Sequence, residues 1–134
     1  VKKYGLTPLA LVRSVAVVGA DPALMLEGPI SASRKAAALA GLSFDDIALF
    51  EVNEAFASVP LMWMQATGVG ADRLNVNGGA IALGHPLGAT GARLATSLIH
   101  ELRRTGQKYG LQAICCAGGL ATATVYENLE LKPA

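Results

Sequence analysis

A glycine-rich segment surrounds a single histidine, and that histidine is the first candidate for chemistry. Residues 78–91 contain five glycines and one proline. This composition predicts a loop with unusual backbone dihedral angles beside a closely packed group, rather than a regular helix or strand. His85 lies in the middle of the segment, and an amphipathic helix is predicted directly after it. An imidazole at the start of a helix suits acid–base chemistry or the binding of an anion.

An amide and a pair of thiols follow two other predicted strands. Asn53 comes directly after the apolar run 47–52, and Cys115 and Cys116 end the apolar run 111–116. Ligand sites in open α/β sheets gather outside the carboxyl ends of the strands. The amide, the imidazole and a thiol are therefore predicted to converge as a catalytic constellation.

Each of these side chains also has a structural explanation. Asn53 could cap a helix that begins at Glu54, because asparagine is a favoured N-cap. His85 could be a hydrogen-bonded loop histidine, and the two cysteines could be small core residues. The residues alone leave these alternatives open.

Other site classes fit the sequence less well. The adjacent cysteines lack the C-x₂₋₄-C spacing of a zinc site, and no metal site is predicted. The glycine-rich segment lacks the Gly-Lys-Ser/Thr of a phosphate-binding loop. A cysteine protease of the papain type has its trio in the order Cys, His, Asn, whereas here the order is Asn53, His85, Cys115.

Strands and helices alternate along the chain. The apolar runs predict five strands and the amphipathic or alanine-rich segments predict three helices, in the order βαβαβαββ. This order predicts an α/β domain with a five-stranded mixed sheet, helices on both faces and the last two strands antiparallel. The predicted strands are 9–18, 47–52, 75–77, 111–116 and 121–129, and the predicted helices are 30–40, 57–67 and 91–104.

Composition limits the partners of this domain. Charged residues make up 16% of the 134 residues, against about 25% in typical soluble domains, so part of the surface is expected to be covered by another domain or chain. A net charge of +1 predicts neither nucleic acid nor an anionic membrane as partner. The longest apolar runs are too short to span a bilayer.

The start at Val1 favours a fragment or a processed chain. The adjacent cysteines favour a reducing compartment, so a cytoplasmic location is predicted.

Three motifs together resemble the C-terminal half of a thiolase, the family of acetyl-CoA acetyltransferase and 3-ketoacyl-CoA thiolase. They are Asn53-Glu54-Ala55-Phe56, the whole of Gly78 to Gly91, and the segment Cys115 to Gly119. The lead-in at residues 3–10 is also similar, so the resemblance covers residues 1–134 as one thiolase C-terminal domain.

The third motif departs from the Cys-x-Gly-Gly-Gly pattern. Counting from Gly110 and Glu127 places the motif cysteine at Cys115 and Ala117 at the first glycine, whereas the other register uses Cys116.

The resemblance implies a mechanism. A nucleophilic cysteine in the N-terminal half, which no segment here matches, would be acylated by a thioester after His85 takes its proton. Cys115 would act as the acid–base group, toward the CoA thiol in thiolysis or the methyl carbon of acetyl-CoA in condensation. His85 and a water held by Asn53 would form one oxyanion hole, and the backbone N–H of Ala117 would contribute to a second. That second donor requires a backbone angle at Ala117 that suits a residue with a side chain.

The same resemblance implies substrate and partners. Phe56 would line the acyl or pantetheine pocket unless it packs in the core, and Gly84 would leave room for the substrate. Coenzyme A would be a substrate, with no separate cofactor. The enzyme would be a homodimer or homotetramer, and residues 1–134 would be inactive without the N-terminal half.

Two other functions remain open from the sequence. A non-catalytic thiolase-like protein would bind acyl-CoA or a partner protein, and a ketosynthase would pair two histidines, or a histidine and an asparagine, around its nucleophile. A catalytic Cys115 in the assembled enzyme predicts rapid labelling by iodoacetamide near pH 7 through a lowered pKa.

Overall fold

The helices of this chain begin and end where proline and glycine predict. The computed structural model describes residues 1–129; the last five residues of the domain predicted over 1–134 lie outside that part. Pro29 lies in the first turn of the first helix, and Gly41, with φ 71°, ends it, because a left-handed residue closes a helix at little cost when it has no Cβ. Within residues 1–129 the strands are β1 (Ala10–Gly19), β2 (Leu49–Val52), β3 (Tyr109–Cys115) and β4 (Leu120–Asn128), and the α-helices are α1 (Gly28–Ala40), α2 (Ser58–Thr67), α3 (Ala80–Leu83) and α4 (Thr90–Thr105).

The strands form one mixed sheet in the order β1-β4-β3-β2. β2 and β3 are parallel, and β4 is antiparallel to both β3 and β1. The short turn Ala117–Gly119 joins β3 to β4, so the predicted antiparallel pairing of the last two strands is confirmed. The carboxyl ends of β2 and β3 therefore lie side by side, and Asn53 and Cys115 are at that edge.

One face of the sheet carries the main core. Side chains that alternate along the strands meet α1 and α2 there, and small alanines on α1 allow the helix to approach the sheet closely. Trp63 of α2 is fully buried, lies against Phe44 and Phe50, and donates its indole N–H to Ser33 Oγ at 3.0 Å. The core includes Ala16, Ala32, Ala36, Phe50, Val52, Trp63, Leu111, Ala113, Ala121, Ala123 and Val125.

α4 covers only part of the opposite face. Gly110 lies directly beneath it, and a Cβ at this position would meet Leu98 Cδ1 at 2.8 Å and Leu102 Cδ1 at 2.9 Å. Helices therefore lie on both faces, as predicted. Within residues 1–129 no element covers the edge strand β1 on this face, so Val12, Val15 and Val17 are 53%, 55% and 59% exposed. These three residues are called the valine face below.

The prediction of a fifth strand over 75–77 is wrong, and the described sheet has four strands. Leu74 forms a single parallel bridge with Phe50, and the backbone then turns because Asn75 adopts φ 49°, a left-handed conformation that ends a strand. The Asn75 side chain continues the pairing in place of backbone. Its Oδ1 accepts from Val52 N–H at 2.8 Å, and its Nδ2 donates to Val52 O at 2.9 Å.

The glycine-rich segment also contains a short helix that its composition did not predict. α3 occupies only Ala80–Leu83 and ends at Gly84, whose φ is 84°. His85 follows directly, so a single helical turn lies immediately before the histidine.

Candidate active site

A pocket at the carboxyl ends of β2 and β3 brings together the predicted imidazole and thiol. Its volume is about 420 Å³. His85 reaches it from the loop after α3, and Cys115 reaches it from the end of β3. The lining residues are Met25, Leu26, Ala55, His85, Leu87, Ile114, Cys115, Cys116 and Ala117.

The His85 ring is oriented by Thr90. His85 Nδ1 lies 2.8 Å from Thr90 Oγ1, and Thr90 Oγ1 donates to Pro86 O at 3.1 Å. The Thr90 hydroxyl has one hydrogen, so when it donates to Pro86 O it accepts from His85 Nδ1–H, which defines one tautomer of the ring. Nε2 then carries the lone pair, as a general base requires. Thr90 is buried at the first residue of α4, and its residue type alone gives no sign of this role.

The Cys115 thiol is half-buried, whereas Cys116 is exposed. Neither belongs to the core, so the alternative of two core cysteines is wrong. Burial raises the pKa of Cys115, while the nearby Asn53 amide lowers it by a smaller amount. The lowered pKa is an expectation for the assembled enzyme and stays a prediction, whereas in this chain alone the pKa is raised. A raised pKa keeps the sulfur protonated near neutral pH, which suits a proton donor.

The Asn53 side chain is 1% exposed. The helix that follows begins at Ser58, with Ala57 as its N-cap, so Asn53 is not a helix cap. Its backbone N–H donates to Ala113 O at 2.9 Å, which extends the β2–β3 pairing by one residue. Among the described residues, neither its Oδ1 nor its Nδ2 has a hydrogen-bond partner. Buried amides are normally paired, so this amide near the thiol is available to a ligand or a water.

Only some of the remaining predicted site residues line this pocket. Ala117 lines it and is not among the residues with positive φ, so its backbone tolerates a side chain. The two glycines that follow it have φ of 72° and 81°. Gly84 precedes His85 and is not a lining residue, and Phe56 is 61% exposed, which excludes core packing. Their roles toward substrate stay predictions.

A buried glutamate lies on β2, the strand that ends directly before Asn53, and it is not among the predicted site residues. Glu51 is 2% exposed, and its Oε2 has no hydrogen-bond partner among residues 1–129. Burial, and to a smaller extent the charge of Glu54, raises its pKa to about 8. A carboxylate inside the apolar run 47–52 was the available signal, because such a residue is rarely buried without a reason.

Glu51→Gln is expected to remove part of the pH dependence of stability. Between pH values of about 4.5 and 8 the folded protein holds a proton on Glu51 that the unfolded chain has released, so wild-type stability falls as pH rises through this window. Glutamine has the shape of the protonated acid and does not titrate. At pH 8 the variant should be more stable by on the order of 3 kcal/mol, and at pH 5 the two proteins should be similar.

Thermal unfolding of the complete gene product at both pH values measures this difference. Glu127→Gln is the matched control, because that carboxylate pairs with Arg13 and Lys108 at the other end of the sheet. Equal losses of stability in wild type and Glu51→Gln between pH 5 and pH 8 would contradict the prediction.

Residues 1–129 contain no group of three or more His, Cys, Asp or Glu side chains placed to hold a metal ion. Within the same part of the chain, every helix is too short or too polar to cross a bilayer.

Comparisons with known proteins agree with the resemblance. Residues 6–128 match the family model described as thiolase, C-terminal domain. The chain is 50% identical to the steroid 3-ketoacyl-CoA thiolase FadA6 of Mycobacterium tuberculosis over 129 residues, covering 96% of this chain and 32% of that protein. It is 48% identical to the acetyl-CoA acetyltransferase of Chromobacterium violaceum over 126 residues, covering 94% of this chain and 32% of that protein.

A solved structure shows the same likeness in three dimensions. Human mitochondrial 3-ketoacyl-CoA thiolase in complex with CoA superimposes with a TM-score of 0.93 and 45% identity, covering 96% of this chain and 33% of that one. The chain thus spans about a third of the length of the relatives it matches. The family-model match and these identities show that the chain belongs to the thiolase family and contains its C-terminal domain.

Proposed function

We propose that this chain is the C-terminal catalytic half of an enzyme that transfers acyl groups between acyl-CoA and CoA. The reaction is thiolysis of a 3-ketoacyl-CoA or, in the reverse direction, condensation of two acetyl-CoA molecules. The observation that carries the proposal is that His85 and Cys115 line one pocket, with the unpaired Asn53 amide close enough to influence the thiol.

His85 serves as the base for a nucleophilic cysteine supplied by the N-terminal half. With Nδ1–H donating to Thr90, Nε2 takes the proton of that thiol, and the thiolate attacks the 3-keto carbonyl carbon of the substrate. The resulting imidazolium can then donate from Nε2 to an oxyanion. One ring therefore performs proton transfer first and charge stabilisation afterwards.

Cys115 handles the second proton. When the C2–C3 bond of the substrate breaks, the electron pair goes to the departing acetyl-CoA enolate, and Cys115 gives that enolate carbon its proton. The raised pKa of Cys115 supports this donor role. The Cys115 thiolate then takes the proton of the incoming CoA thiol, whose sulfur attacks the acyl-enzyme thioester. The nucleophilic cysteine leaves as a thiolate and takes its proton back from the His85 imidazolium.

Asn53 and Ala117 stabilise negative oxygen atoms. The unpaired Asn53 amide supports its proposed role of holding a water that, with His85, binds the enolate oxygen. The position of Ala117 on the pocket wall and its ordinary backbone conformation support a backbone N–H donor to the second oxyanion. Removing one such donor typically lowers a rate by about 10² to 10³.

The substrate and the residues that contact it are proposed from a solved relative and from the surroundings of Gly84 and Phe56. A relative has been solved in complex with CoA, and we infer that CoA and acyl-CoA are substrates here, with no separate cofactor. Gly84 leaves open space, because, apart from its two chain neighbours, no described residue has an atom within 4 Å of where its Cβ would be. The exposed ring of Phe56 contributes to the acyl or pantetheine site.

The N-terminal half is the proposed partner of the valine face. Three exposed valines on an edge strand would be costly in water and prone to association, and the matched relatives are about three times longer than this chain. The N-terminal half is therefore inferred to cover this surface. Assembly as a homodimer or homotetramer and a cytoplasmic location remain predictions.

The test compares the complete gene product with residues 1–134 alone. The complete protein is expected to cleave acetoacetyl-CoA in the presence of CoA, and residues 1–134 are expected to be inactive, because the nucleophile is missing. Thiolysis by residues 1–134 alone would overturn the assignment of a catalytic half. An inactive complete protein that still binds acyl-CoA would favour the second candidate, a non-catalytic binding protein.

A further inference from the structure

The motif residue after Asn53 makes contacts that the proposed mechanism does not use. Glu54 is only half-buried, yet both of its carboxylate oxygens are engaged. Oε1 accepts from Asn75 Nδ2 and Oε2 accepts from the backbone N–H of Ile81, each at 2.9 Å. One carboxylate therefore connects the end of β2 with the first turn of α3.

The partner of Oε1 fixes the strand end. Asn75 Nδ2 also donates to Val52 O, and Asn75 Oδ1 accepts from Val52 N–H, so the amide pairs with both backbone groups of the residue before Asn53. The Asn75 backbone N–H donates to Phe50 O at 2.8 Å. Asn75 thus holds the free edge of β2 up to the residue that precedes Asn53.

The partner of Oε2 fixes the start of the histidine loop, which is the glycine-rich segment of residues 78–91. A Cβ at Gly79 would lie 2.4 Å from the Glu54 carboxyl carbon and 2.5 Å from its Oε2. Gly79 has φ of −120°, which any residue adopts, so glycine is required here for space rather than for conformation. The glycine segment leaves room for the carboxylate to reach the N-terminal turn of α3.

The far end of α3 is held separately. Arg93 of α4 donates from Nη1 to Leu83 O and from Nη2 to Gly84 O, the second at 2.8 Å. Thr90 holds the His85 ring itself. The histidine loop is therefore fixed by α4 at one end, and Glu54 is a side-chain contact between its other end and the residues at the end of β2.

From this arrangement we propose that Glu54 is a positioning residue that sets the placement of the His85 loop relative to Asn53, through Ile81 on one side and Asn75 on the other. The proposal rests on the proposed function, in which His85 and Asn53 share one oxyanion hole. A displacement of about 1 Å between groups that must act together can lower a rate by about 10²-fold. Glu54 itself touches neither substrate nor reacting atoms.

Glu54→Gln in the complete gene product tests the proposal. A glutamine has one acceptor oxygen where the carboxylate has two, so its NH₂ group would face either Ile81 N–H or Asn75 Nδ2, and one contact is lost. The expected result is a kcat for acetoacetyl-CoA thiolysis lowered about 10- to 100-fold, with KM for CoA within about twofold. The matched control Glu127→Gln should retain wild-type kcat.

A double-mutant cycle separates positioning from general structural damage. If Glu54 acts through the His85 loop, Glu54→Gln should cost little further activity in a His85→Ala background, because the group that it positions is already gone. Gly79→Ala should lower kcat in wild type, yet cost much less in a Glu54→Ala background, where the obstructing carboxylate is absent. Additive losses in both cycles would overturn the proposal.

Hydrogen exchange provides a readout that does not depend on activity. Exchange at Ile81 and its neighbours in α3 should rise about tenfold or more in Glu54→Gln, while α4 stays as protected as in wild type. If the wild-type protein is inactive but this change is observed, the proposed function fails, whereas the role of Glu54 in holding α3 is supported. If the protein is active and neither kcat nor α3 exchange changes, the positioning role is overturned.

Discussion

His85→Ala is expected to lower kcat/KM for thiolysis by the complete gene product about 10³-fold or more. The variant removes the base that activates the nucleophilic thiol, an effect of about 10² to 10⁴, and the same substitution removes an oxyanion donor. The two losses do not add fully, because they belong to one ring at successive stages of the reaction. Steady-state kinetics with acetoacetyl-CoA and CoA measure the loss.

His100→Ala is the matched control for this variant. His100 is exposed on α4, and its substitution should leave kcat/KM within about twofold of wild type. A loss of less than tenfold in His85→Ala, with the protein folded, would contradict the assigned role of the imidazole. Equal losses in the two variants would indicate damage to α4 and its loop rather than loss of a catalytic group.

Cys115→Ser is expected to lower kcat for thiolysis about 10²- to 10⁴-fold, the range of a general acid–base group. The serine hydroxyl is close to the thiol in size, but it is far less acidic and cannot exchange a proton with the enolate carbon or the CoA thiol at a useful rate. Because the side chain is only half-buried, the substitution should leave the thermal midpoint nearly unchanged. The measurement is kcat at saturating CoA together with that midpoint.

Cys116→Ser is the control, and it also tests the register of the third motif. Cys116 is exposed and is the next residue in the chain, so the two variants make the same chemical change at adjacent positions. Near wild-type activity in Cys116→Ser would support Cys115 as the acid–base group. The reverse pattern would move the role to Cys116, and retained activity in both would remove acid–base catalysis from this motif.

Local sequence determined the regular elements. Pro29 and Gly41 bound α1 and Gly68 ends α2 as predicted, because capping preferences depend on residues that are adjacent in the chain. The alternation of strands and helices likewise predicted an α/β sheet with helices on both faces, since each element must bury its apolar side. The three motifs were sufficient to predict the family to which the chain belongs.

Contacts between distant residues decided the rest. Asn53 is a residue that could cap a helix, and only its pairing with Ala113 and the later start of α2 show that it does not. The predicted fifth strand is replaced by the Asn75 side chain, because one left-handed residue turns the backbone away after Leu74. Neither outcome is encoded in the periodicity of the surrounding residues.

The electrostatic environment of the site also depends on tertiary structure. Cys115 has a raised rather than a lowered pKa because of how far the surrounding elements bury it. Glu51 holds its proton because β2 places it in the interior, and Glu54 reaches Ile81 because Gly79 leaves space 25 positions away in the chain. The sequence by itself thus determined which residues are available for chemistry, while their protonation and relative placement were decided by packing, because desolvation and close approach arise only when distant segments meet.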